Sequence, residues 1–562
     1  PGGVAAVLRF RRLFRLAELH ALFLLGANDG VLPAAETGGG VLRDEDREAL
    51  EQRDIFLAPH GMEQFHLEIQ NLYAALAQPT EKLTISYPVS DSAGAEKRPS
   101  FVIGRIARLL PEIKVEKESA DKEYRLSAKG AALEYAGEHI GGALWQYFEG
   151  KADAQSALSA MRAASRMTRG RLSKSAVRAL YGDTLRLSAS QMDKARACHF
   201  AYFLRYGLRA KERTGAGFDA PQIGTFVHDV MEHTLRAAKA RGGLHTLEKS
   251  ELHALVQAAI ADYRSRVLPD LSEKSARFRY LFDRLCGSTE RIMDEVADEL
   301  KHSDFEPVAF ELAFGPNGQL PAVTVCEKGN IARVVGKVDR VDGWEHGGRL
   351  YLRVVDYKTG KKTFDLAELR YGLGLQMLLY LFALEQEGGA LFGGKEIVPA
   401  GVLYTPAREP MLRCARDTAD ETIEKARRKE LRRSGMVLED PAVLQAMEHD
   451  ALDAPEYLPI AVKKGGALSG SLASEGQFAK LARYVDCVLR EIAGEVFAGN
   501  IDADPYARTP QQSACTYCEF ASACHFENGR GGDRMEYIQA TKTDEFWRYI
   551  DERNGEEARS DG

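Results

Sequence analysis

The stretch GKVDRVDGWEHGGRLYLRVVDYKTG, residues 336–360, contains two strand-like runs separated by Gly347 and Gly348. Two consecutive glycines suit a two-residue hairpin loop, because such a loop needs positive φ at both positions. The pairing that this loop imposes places Asp339 directly opposite Asp356. Opposed like charges are destabilising unless something neutralises them. The sequence therefore predicts an antiparallel hairpin whose open end gathers two carboxylates around a divalent cation.

A basic side chain belongs to the same end of this hairpin. Lys358 follows Asp356 by two residues, and side chains two apart on a strand share a face. Carboxylates suit Mg2+, while a lysine can orient or deprotonate a water molecule or stabilise charge on a phosphate. The pattern predicts metal-dependent phosphodiester hydrolysis. Its alternative, on these residues alone, is a surface hairpin with scattered charges.

The rest of the chain reads as several domains around this hairpin. Its 562 residues are too many for one hydrophobic core, and 45% hydrophobic with 28% charged residues is ordinary for a globular protein. We expect an α/β domain over 1–115, a helical connector over 116–183, a domain carrying the chemistry over 184–545 and a tail over 546–562. The absence of an initiator Met, signal peptide or membrane-length apolar run suggests a cytoplasmic fragment of a longer protein.

Charge is distributed unevenly along the sequence. The formal charge of -7 argues against a wholly basic nucleic-acid binder. One run, EKARRKELRRSG at 424–435, is nevertheless strongly basic. Such a run is either a solvated helix face or a contact for phosphates.

Four of the eight cysteines form a pattern typical of a metal site. Cys515, Cys518 and Cys524 are spaced C-x2-C-x5-C, and Cys198 lies far upstream in an aromatic and basic segment. Without an export signal, this clustering favours metal over disulfides. Thiolates bind zinc and iron–sulfur clusters alike, so the spacing leaves both open.

The segment LLGANDGVLP, residues 24–33, raises the question of a nucleotide site. A phosphate loop needs G-x4-G-K-[ST] after a strand, and the sequence contains none, since TGKKT at 359–363 lacks the spacing. We therefore expect no ATP site within this chain.

Several motifs together resemble the RecB-like branch of the PD-(D/E)XK nuclease superfamily. They are, in chain order, GTFVHDVME (224–232), GKVDRVD (336–342), VVDYKTG (354–360) and QMLLY (376–380). The resemblance implies that the metal ligands are His228, Asp339, Asp356 and the carbonyl of Tyr357. It implies that Lys358 is the catalytic lysine. Gln376 and Tyr380 would form the Q-x3-Y pair, which positions the site or the DNA.

The chain departs from that superfamily pattern at two positions. Val355 stands where the name-giving proline would be, and Tyr357 separates Asp356 from Lys358, so the later acid is absent. Glu311, an acid in an otherwise apolar strand, is a candidate to support the metal ligands without binding the metal, but it is not counted among the site residues.

The cysteines resemble the iron staple of the same nuclease branch, which holds a [4Fe-4S] cluster. On that resemblance Cys198, Cys515, Cys518 and Cys524 are the cluster ligands, and the cluster ties the ends of the nuclease domain together. The proline that usually follows the first cysteine is His199 here. Zinc remains the alternative metal, and His199 or His525 an alternative ligand.

The first region resembles the second half of a superfamily 1 helicase core. LLGANDGVLP is similar to motif V, and EIQNLYAALAQPTEKLTISY (68–87) aligns with motif VI. Gln70 and Gln78 stand where that motif has its phosphate-contacting arginines, and a neutral amide cannot replace a bidentate cation. The resemblance implies an inactivated helicase-like domain.

A helicase-like part joined to a nuclease with a cysteine clamp resembles the AddAB-type family of bacterial helicase–nucleases. That implies a Mg2+-dependent exonuclease or endonuclease that cuts single strands during double-strand break resection, and that binds single-stranded DNA and duplex ends. It also implies a heterodimer with an AddA-type helicase–nuclease partner. The alternative is a non-catalytic scaffold that binds DNA ends.

Overall fold

The computed structural model describes residues 19–34, 42, 44–58, 61–90, 96–117, 125–211, 220–415, 418–509 and 512–560. The chain divides into two compact units, Pro1–Ala164 and Ser165–Gly562. Residues 165–183, which the sequence placed in a connector, belong to the second unit. Their backbone explains this, because the Leu172 N–H donates to the Gly499 carbonyl at 2.9 Å. No described helix is both long enough and apolar enough to cross a bilayer.

The first unit starts with parallel strands. β1 (Leu19–Leu25) pairs with β2 (Pro79–Ser86), and α1 (Asp44–Glu51) and α2 (Gly61–Leu76) lie between them in sequence. Asn28 follows β1 and is buried, and its Nδ2 donates to the carbonyls of Pro88 and Arg98 at 2.9 and 3.0 Å. The segment 20–34 is therefore a strand followed by a loop that one asparagine side chain holds in place.

Helices make up the rest of the first unit. They are α3 (Phe101–Leu109), α4 (Lys129–Glu138), α5 (Ala143–Glu149) and α6 (Gln155–Ser165). Burial of Trp145, Phe148 and Leu158 gives α4 to α6 a small core of their own.

The second unit contains the remaining elements. Its helices are α7 (Lys174–Tyr181), α8 (Ala189–Ala197), α9 (His199–Tyr202), α10 (Ala220–Ala240), α11 (Lys249–Val267), α12 (Ala276–Lys301), α13 (Leu366–Arg370), α14 (Gln376–Glu387), α15 (Asp420–Leu431), α16 (Pro441–Met447), α17 (Glu475–Phe497), α18 (Ala521–Cys524) and α19 (Thr543–Ser560). Its strands are β3 (Thr184–Leu187), β4 (Glu306–Phe314), β5 (Val323–Glu327), β6 (Asn330–Val334), β7 (Gly336–His346), β8 (Arg349–Lys358), β9 (Glu396–Pro406), β10 (Ser434–Leu438), β11 (Ile460–Val462), β12 (Leu468–Gly470), β13 (Leu472–Ala473), β14 (Tyr506–Thr509), β15 (Gln512–Ser513) and β16 (Glu536–Tyr537).

A mixed six-stranded sheet is the centre of the second unit. Its strand order is β13-β10-β9-β8-β7-β4, with β4, β7 and β8 antiparallel in succession and β8 parallel to β9. One face packs against α14, α17 and α19, and the other against α10, α11 and α12. This architecture confirms the predicted α/β fold class and buries the hairpin of residues 336–358 between two helical layers.

The C-terminal segment is part of this core. We expected a tail from residue 546 onward, but α19 runs through Ser560 and its Phe546 and Ile550 are fully buried against the sheet layer. The sequence suggested a tail because charged residues dominate in this segment. Two apolar side chains one helical turn apart are nevertheless enough to pack the helix against the sheet layer. Residues 561–562 lie outside the described residues.

Candidate active site

The predicted hairpin register is confirmed. β7 and β8 pair from His346 opposite Arg349 to Arg340 opposite Val355, around a turn in which Gly347 and Gly348 have φ of 59° and 81°. The ladder ends one pair before Asp339. There the Asp339 side chain takes over, because its Oδ2 accepts the backbone N–H of Tyr357 at 3.0 Å.

His228 reaches this open end from α10. Its Nε2 lies 2.8 Å from the carbonyl oxygen of Tyr357, and its Nδ1 lies 3.3 Å from Oδ2 of Asp339. Burial alone would lower the pKa of His228, but the hydrogen bond and charge of Asp339 outweigh burial, and the pKa is raised. The structure thus brings together three groups that the sequence could only order along the chain.

Glu311 completes a cluster that sequence reasoning missed. Ligand atoms of His228, Glu311 and Asp339 all lie within 4.8 Å of one another. Glu311 sits on β4, between residues that pair with Arg340 and Val338 on either side of Asp339. Its φ of 50° is a left-handed conformation that costs a non-glycine residue about 1–2 kcal/mol. The signal was the acid in an apolar strand, but only the β4–β7 pairing gives it a place.

Asp356 and Lys358 form an ion pair beside this cluster. Lys358 Nζ lies 2.6 Å from Oδ2 of Asp356, whose residue is 5% exposed. Burial and the neighbouring charge of Asp339 raise the pKa of Asp356 to about 6, even though Lys358 favours the anion. The Asp356 carboxylate therefore lies in a site with more negative charge than its single lysine neutralises.

The Q-x3-Y residues lie on α14 next to the same strands. Tyr380 is buried and stacks on Phe314 with ring centroids 5.7 Å apart. Burial raises the pKa of Tyr380, and it outweighs the hydrogen bonds with the Lys337 backbone and the Gln376 side chain, which lower the pKa. A Cβ on Gly336 would lie 2.5 Å from the Tyr380 ring, which explains the glycine that begins the GKVD segment.

The donor set at this open end fits a divalent cation. Carboxylate oxygens of Asp339 and Glu311 and the carbonyl oxygen of Tyr357 lie there beside the His228 imidazole, and oxygen is the ligand atom that hard cations such as Mg2+ prefer. Oδ2 of Asp356 is buried and lies 2.6 Å from the ammonium of Lys358, so this carboxylate stands beside the cluster with one oxygen already paired to a cation.

Behind the site, on the opposite face of β7 and β8, lies a sealed ionic network. Arg340 donates from Nη1 to Oη of Tyr357 at 2.7 Å and from Nη2 to Oδ2 of Asp342 at 3.0 Å. Arg353 donates from Nε to the same Asp342 oxygen at 2.9 Å. These residues are fully buried. Sequence reasoning assigned none of them, because a charged residue in a strand is expected at the surface.

Two further charges extend this network from other elements. Glu299 of α12 lies 2.6 Å from Nη2 of Arg433 and 3.4 Å from Nη2 of Arg353. Burial alone would raise the pKa of Glu299, but the charges of Arg433, Arg353 and Arg340 hold the pKa at about 2. The paired arginines therefore keep the Glu299 carboxylate ionised at neutral pH.

The predicted cysteine clamp has its two parts in one region of the second unit. Cys198 is buried and shares a small apolar cluster with Phe520 and Cys518. Burial raises the pKa of Cys515, and the nearby thiols of Cys518 and Cys524 raise it further. Burial also raises the pKa of Cys198 to about 12, so this thiol ionises only with help from a metal.

Arg169 connects the two parts of the clamp. Its Nη2 lies 2.9 Å from the carbonyl oxygen and 3.6 Å from Sγ of Cys524, and its guanidinium makes a bidentate pair with Asp533 at 2.8 Å. The same guanidinium lies 4.1 Å from the ring centroid of Phe200, two residues after Cys198. A residue expected in a connector thus lies against the clamp.

His199 is committed to carboxylates. Its Nδ1 lies 2.6 Å from Asp504 and its Nε2 lies 2.8 Å from Glu495. Burial alone would lower the pKa of His199, but these two carboxylates raise it to about 9. Both ring nitrogens of His199 thus face carboxylates, and the cysteines remain the proposed ligands of the clamp.

The basic run of residues 424–435 is partly neutralised by acids. On α15, Arg427 pairs with Glu295 and Glu424, and Arg428 pairs with Glu456 at 2.7 Å. Arg433, beyond the helix, belongs to the sealed network. Three of the six basic residues of the run, Arg427, Arg428 and Arg433, are therefore held in intramolecular ion pairs.

In the first unit, the two glutamines of the motif VI alignment lie on and just after α2. Gln70 is exposed and Gln78 is half-buried. The parallel pairing of β1 with β2 agrees with the order of a strand, a helix and a second strand that the alignment requires.

Comparison with known proteins agrees with this geometry. Residues 186–525 match the family described as PD-(D/E)XK nuclease superfamily. The chain is 30% identical over 561 residues to an ATP-dependent helicase/deoxyribonuclease subunit of Ruminiclostridium cellulolyticum, covering 96% of this chain and 49% of that protein. It is 32% identical over 557 residues to the protein of the same name from Acetivibrio thermocellus, covering 95% and 48%.

These matches confirm the nuclease family that the motifs predicted, and the similarity to subunits of ATP-dependent helicase–nucleases. The chain spans about half the length of the curated relatives it matches. What those whole proteins do is therefore a matter for proposal.

Proposed function

The chain belongs to the PD-(D/E)XK nuclease superfamily, and on that premise we propose that it is a Mg2+-dependent deoxyribonuclease acting on single-stranded DNA. The biological setting is the resection of double-strand breaks in bacterial recombinational repair. The chain there supplies the nuclease of an AddB-type protein, and an AddA-type protein is its motor partner. The similarity to subunits named helicase/deoxyribonuclease over nearly the whole chain supports this role.

One observation carries the catalytic part of the proposal. His228 contacts both Asp339 and the Tyr357 carbonyl, so groups from α10, β7 and β8 converge on one point. These groups, with Asp356, would hold the cation, and Glu311 offers a further carboxylate. A bound Mg2+ neutralises such carboxylates and polarises the scissile phosphate.

Lys358 is the side chain that we assign to the reaction itself. Its ammonium is 2.6 Å from Asp356 and one-third exposed, so the same group is held at the cluster and reaches solvent. There it stabilises negative charge that develops on the phosphate and orients the water that attacks. Gln376 and Tyr380 position the strands, since Tyr380 packs against Gly336 at the start of β7.

The decisive experiment compares two lysines of one segment. Lys358→Ala should lower Mg2+-dependent cleavage of an end-labelled single-stranded oligonucleotide by about a hundredfold or more, because an electrostatic group at the reacting phosphate is lost. Lys361→Ala, an exposed lysine three residues later, is the matched control and should cleave normally.

Two results would contradict the proposal. A folded Lys358→Ala protein that cleaves like the parent would show that the site is assigned wrongly. A parent protein that binds DNA ends but never cleaves would favour the non-catalytic scaffold.

We further propose that Cys198, Cys515, Cys518 and Cys524 hold a [4Fe-4S] cluster. Cys198 shares an apolar cluster with Cys518, and the Cys518 and Cys524 thiols raise the pKa of Cys515, so the four side chains lie in one neighbourhood. The resemblance to the iron staple favours a [4Fe-4S] cluster over zinc. The cluster has a structural role here, because it joins segments distant in sequence.

The clamp is tested by colour and metal content. The purified protein should absorb in the visible range and contain about four irons per chain, whereas a colourless protein loaded with zinc would contradict the cluster. Arg169→Met should speed iron loss to a chelator by about tenfold or more, because partners of metal ligands typically change affinity by that factor. Arg171→Met, exposed and two residues away, should lose iron at the parental rate.

The first unit has no catalytic role in this proposal. Gln70 and Gln78 replace the cations that a triphosphate requires. We assign it a supporting role, in contacts with DNA or with the AddA-type partner, and expect no ATPase activity from this chain alone. The cell compartment is the bacterial cytoplasm, where chromosomal breaks are repaired.

A further inference from the structure

We propose that the N-terminal half of α12 is a binding surface that holds single-stranded DNA next to the nuclease site. The surface, here the α12 stripe, consists of Arg277, Tyr280, Leu281 and Arg284. The proposal rests on the proposed nuclease function and adds to it where the substrate strand lies.

The stripe is one continuous face of the helix. Its members are spaced i, i+3, i+4 and i+7, which places them in one row about 10 Å long. All four are exposed, Tyr280 to 61% and Leu281 to 50%. The opposite face carries Phe282, which is buried. The side chains of Tyr280 and Leu281 therefore do not pack against the protein core.

The arginines of the stripe have their charge available. Within the part of the chain that the structure describes, neither Arg277 nor Arg284 forms an ion pair, and Arg284 acts on Glu409 only through its charge. Arg279 and Lys274 add two more cations nearby, and Asp283 is the one acid in residues 274–285. This local excess of positive charge stands in a chain whose formal charge is -7. A surface that concentrates cations against the overall charge is suited to an anionic partner.

Packing ties the stripe to the metal-binding groups. Phe282, on the inner face of α12, meets the ring of Phe226 at 5.2 Å, and Phe226 precedes His228 by two residues on α10. Beside it, Arg266 of α11 makes a bidentate pair with Asp229 at 2.7 and 2.8 Å. The helix that presents the stripe is thus fixed directly against the helix that supplies His228.

The charge of Arg284 places this part of α12 near the segment that follows β9. The ion pair with Arg291 lowers the pKa of Glu409, and the charge of Arg284 lowers it further. Glu409 lies three residues beyond the end of β9, the strand that pairs with β8. The stripe therefore lies on a helix that approaches the end of β9 and packs against α10, which carries His228.

The chemistry of the stripe favours a single strand over a duplex. Arginines contact phosphates of either form, but exposed tyrosine and leucine side chains need the unpaired base faces that a duplex hides. Along this row the two arginines can contact phosphates of a single strand, and the tyrosine and leucine between them can contact its unpaired bases.

Binding of a fluorescent oligothymidylate to the full chain, without added divalent metal, tests the surface. Arg277→Gln combined with Arg284→Gln should weaken binding about tenfold. It should also reduce the slope of log affinity against log salt by about 1.4, because each lost phosphate contact removes about 0.7 for a single strand. Tyr280→Ala should weaken binding about tenfold and Tyr280→Phe should restore it, because stacking needs only the ring.

The matched control removes two charges elsewhere in the same unit. Lys463 and Lys464 lie in the exposed turn between β11 and β12. Lys463→Gln combined with Lys464→Gln should leave the affinity for the oligothymidylate and its salt dependence unchanged. Equal effects of the two double variants would overturn the surface while the parent still cleaves with Mg2+. Loss of duplex binding without loss of single-strand binding would overturn it too. A parent protein that neither binds nor cleaves single strands would instead overturn the nuclease proposal itself.

Discussion

The two faces of the β7–β8 hairpin use charge in opposite ways. On one face, Asp356 and Lys358 stand at an open end where negative charge is in excess, and the pKa of Asp356 is raised to about 6. On the other face, Arg340, Asp342 and Arg353 are fully buried and paired with one another. Neighbouring residues on a strand point to opposite faces, so one hairpin separates a reactive site from a structural one.

The difference teaches which charges are replaceable. Removing one partner of a buried pair leaves an uncompensated charge in the core, whereas removing a carboxylate from a crowded site relieves repulsion. We therefore expect activity and stability to be separable by mutations placed only residues apart.

The largest expected effect is on catalysis. Asp356→Asn should reduce Mg2+-dependent cleavage by about a thousandfold, because a carboxylate that holds the cation contributes several kcal/mol to the transition state. The free energy of unfolding at pH 7 without metal should be unchanged or higher. Cleavage rates and urea unfolding on the same preparation provide both values, and a destabilised but active variant would break the comparison.

On the sealed face, Asp342→Ala should destabilise the fold by about 3–5 kcal/mol, because Arg340 and Arg353 would lose their shared carboxylate in the core. Asp183→Ala is the control. Its pair with Arg178 is exposed and contributes about 0–1 kcal/mol. Urea unfolding of both variants measures the difference in unfolding free energy. Equal stabilities would mean that the sealed network contributes no more to stability than an exposed ion pair.

The two faces should also respond to pH with opposite signs. A carboxyl with a raised pKa binds its proton more tightly in the folded state, so Asp356 lowers the stability of the metal-free protein as pH rises from about 4 to 6. Glu299, with a pKa of about 2, contributes stability above pH 4.5 that is lost as pH falls toward 2. Relative to the parent, Asp356→Asn should gain about 1–3 kcal/mol between pH 4 and 7. If the difference in unfolding free energy between Asp356→Asn and the parent stayed constant from pH 4 to 7, the raised pKa of Asp356 would be refuted.

The smallest expected effect concerns the fit between α14 and β7. Gly336→Ala should lower the cleavage rate by about tenfold and stability by about 1–3 kcal/mol, because the new methyl group meets the Tyr380 ring. Gly130→Ala, where a Cβ meets nothing within 4 Å, is the control and should lose neither. Stopped-time cleavage assays with thermal unfolding distinguish the two glycines.

Much of the active site could be predicted because its signals are local. The Gly347-Gly348 turn fixes the hairpin register, and that register brings Asp339 and Asp356 to the same end. The spacing of Gln376 and Tyr380 places both on one face of α14. His228 was found by its motif, and its contact with Asp339 follows once α10 packs on the sheet.

Other features could not be predicted because they depend on pairing across the fold. Glu311 gains a role only where β4 lies beside β7. Arg169 was assigned to a connector, yet it reaches Asp533 and Cys524, which are distant in sequence. In the basic run of residues 424–435, Arg427, Arg428 and Arg433 are paired with acids from other segments, which the sequence did not show.

The sequence by itself determined the hairpin register, the order of the nuclease motifs and the cysteine spacing. Each follows from covalent spacing and side-chain alternation, which hold before the chain folds. Only the tertiary structure decided which charges are neutralised. The availability of the charges on the α12 stripe and the pairing of the charges behind Tyr357 both depend on which residues approach within a few ångströms after folding.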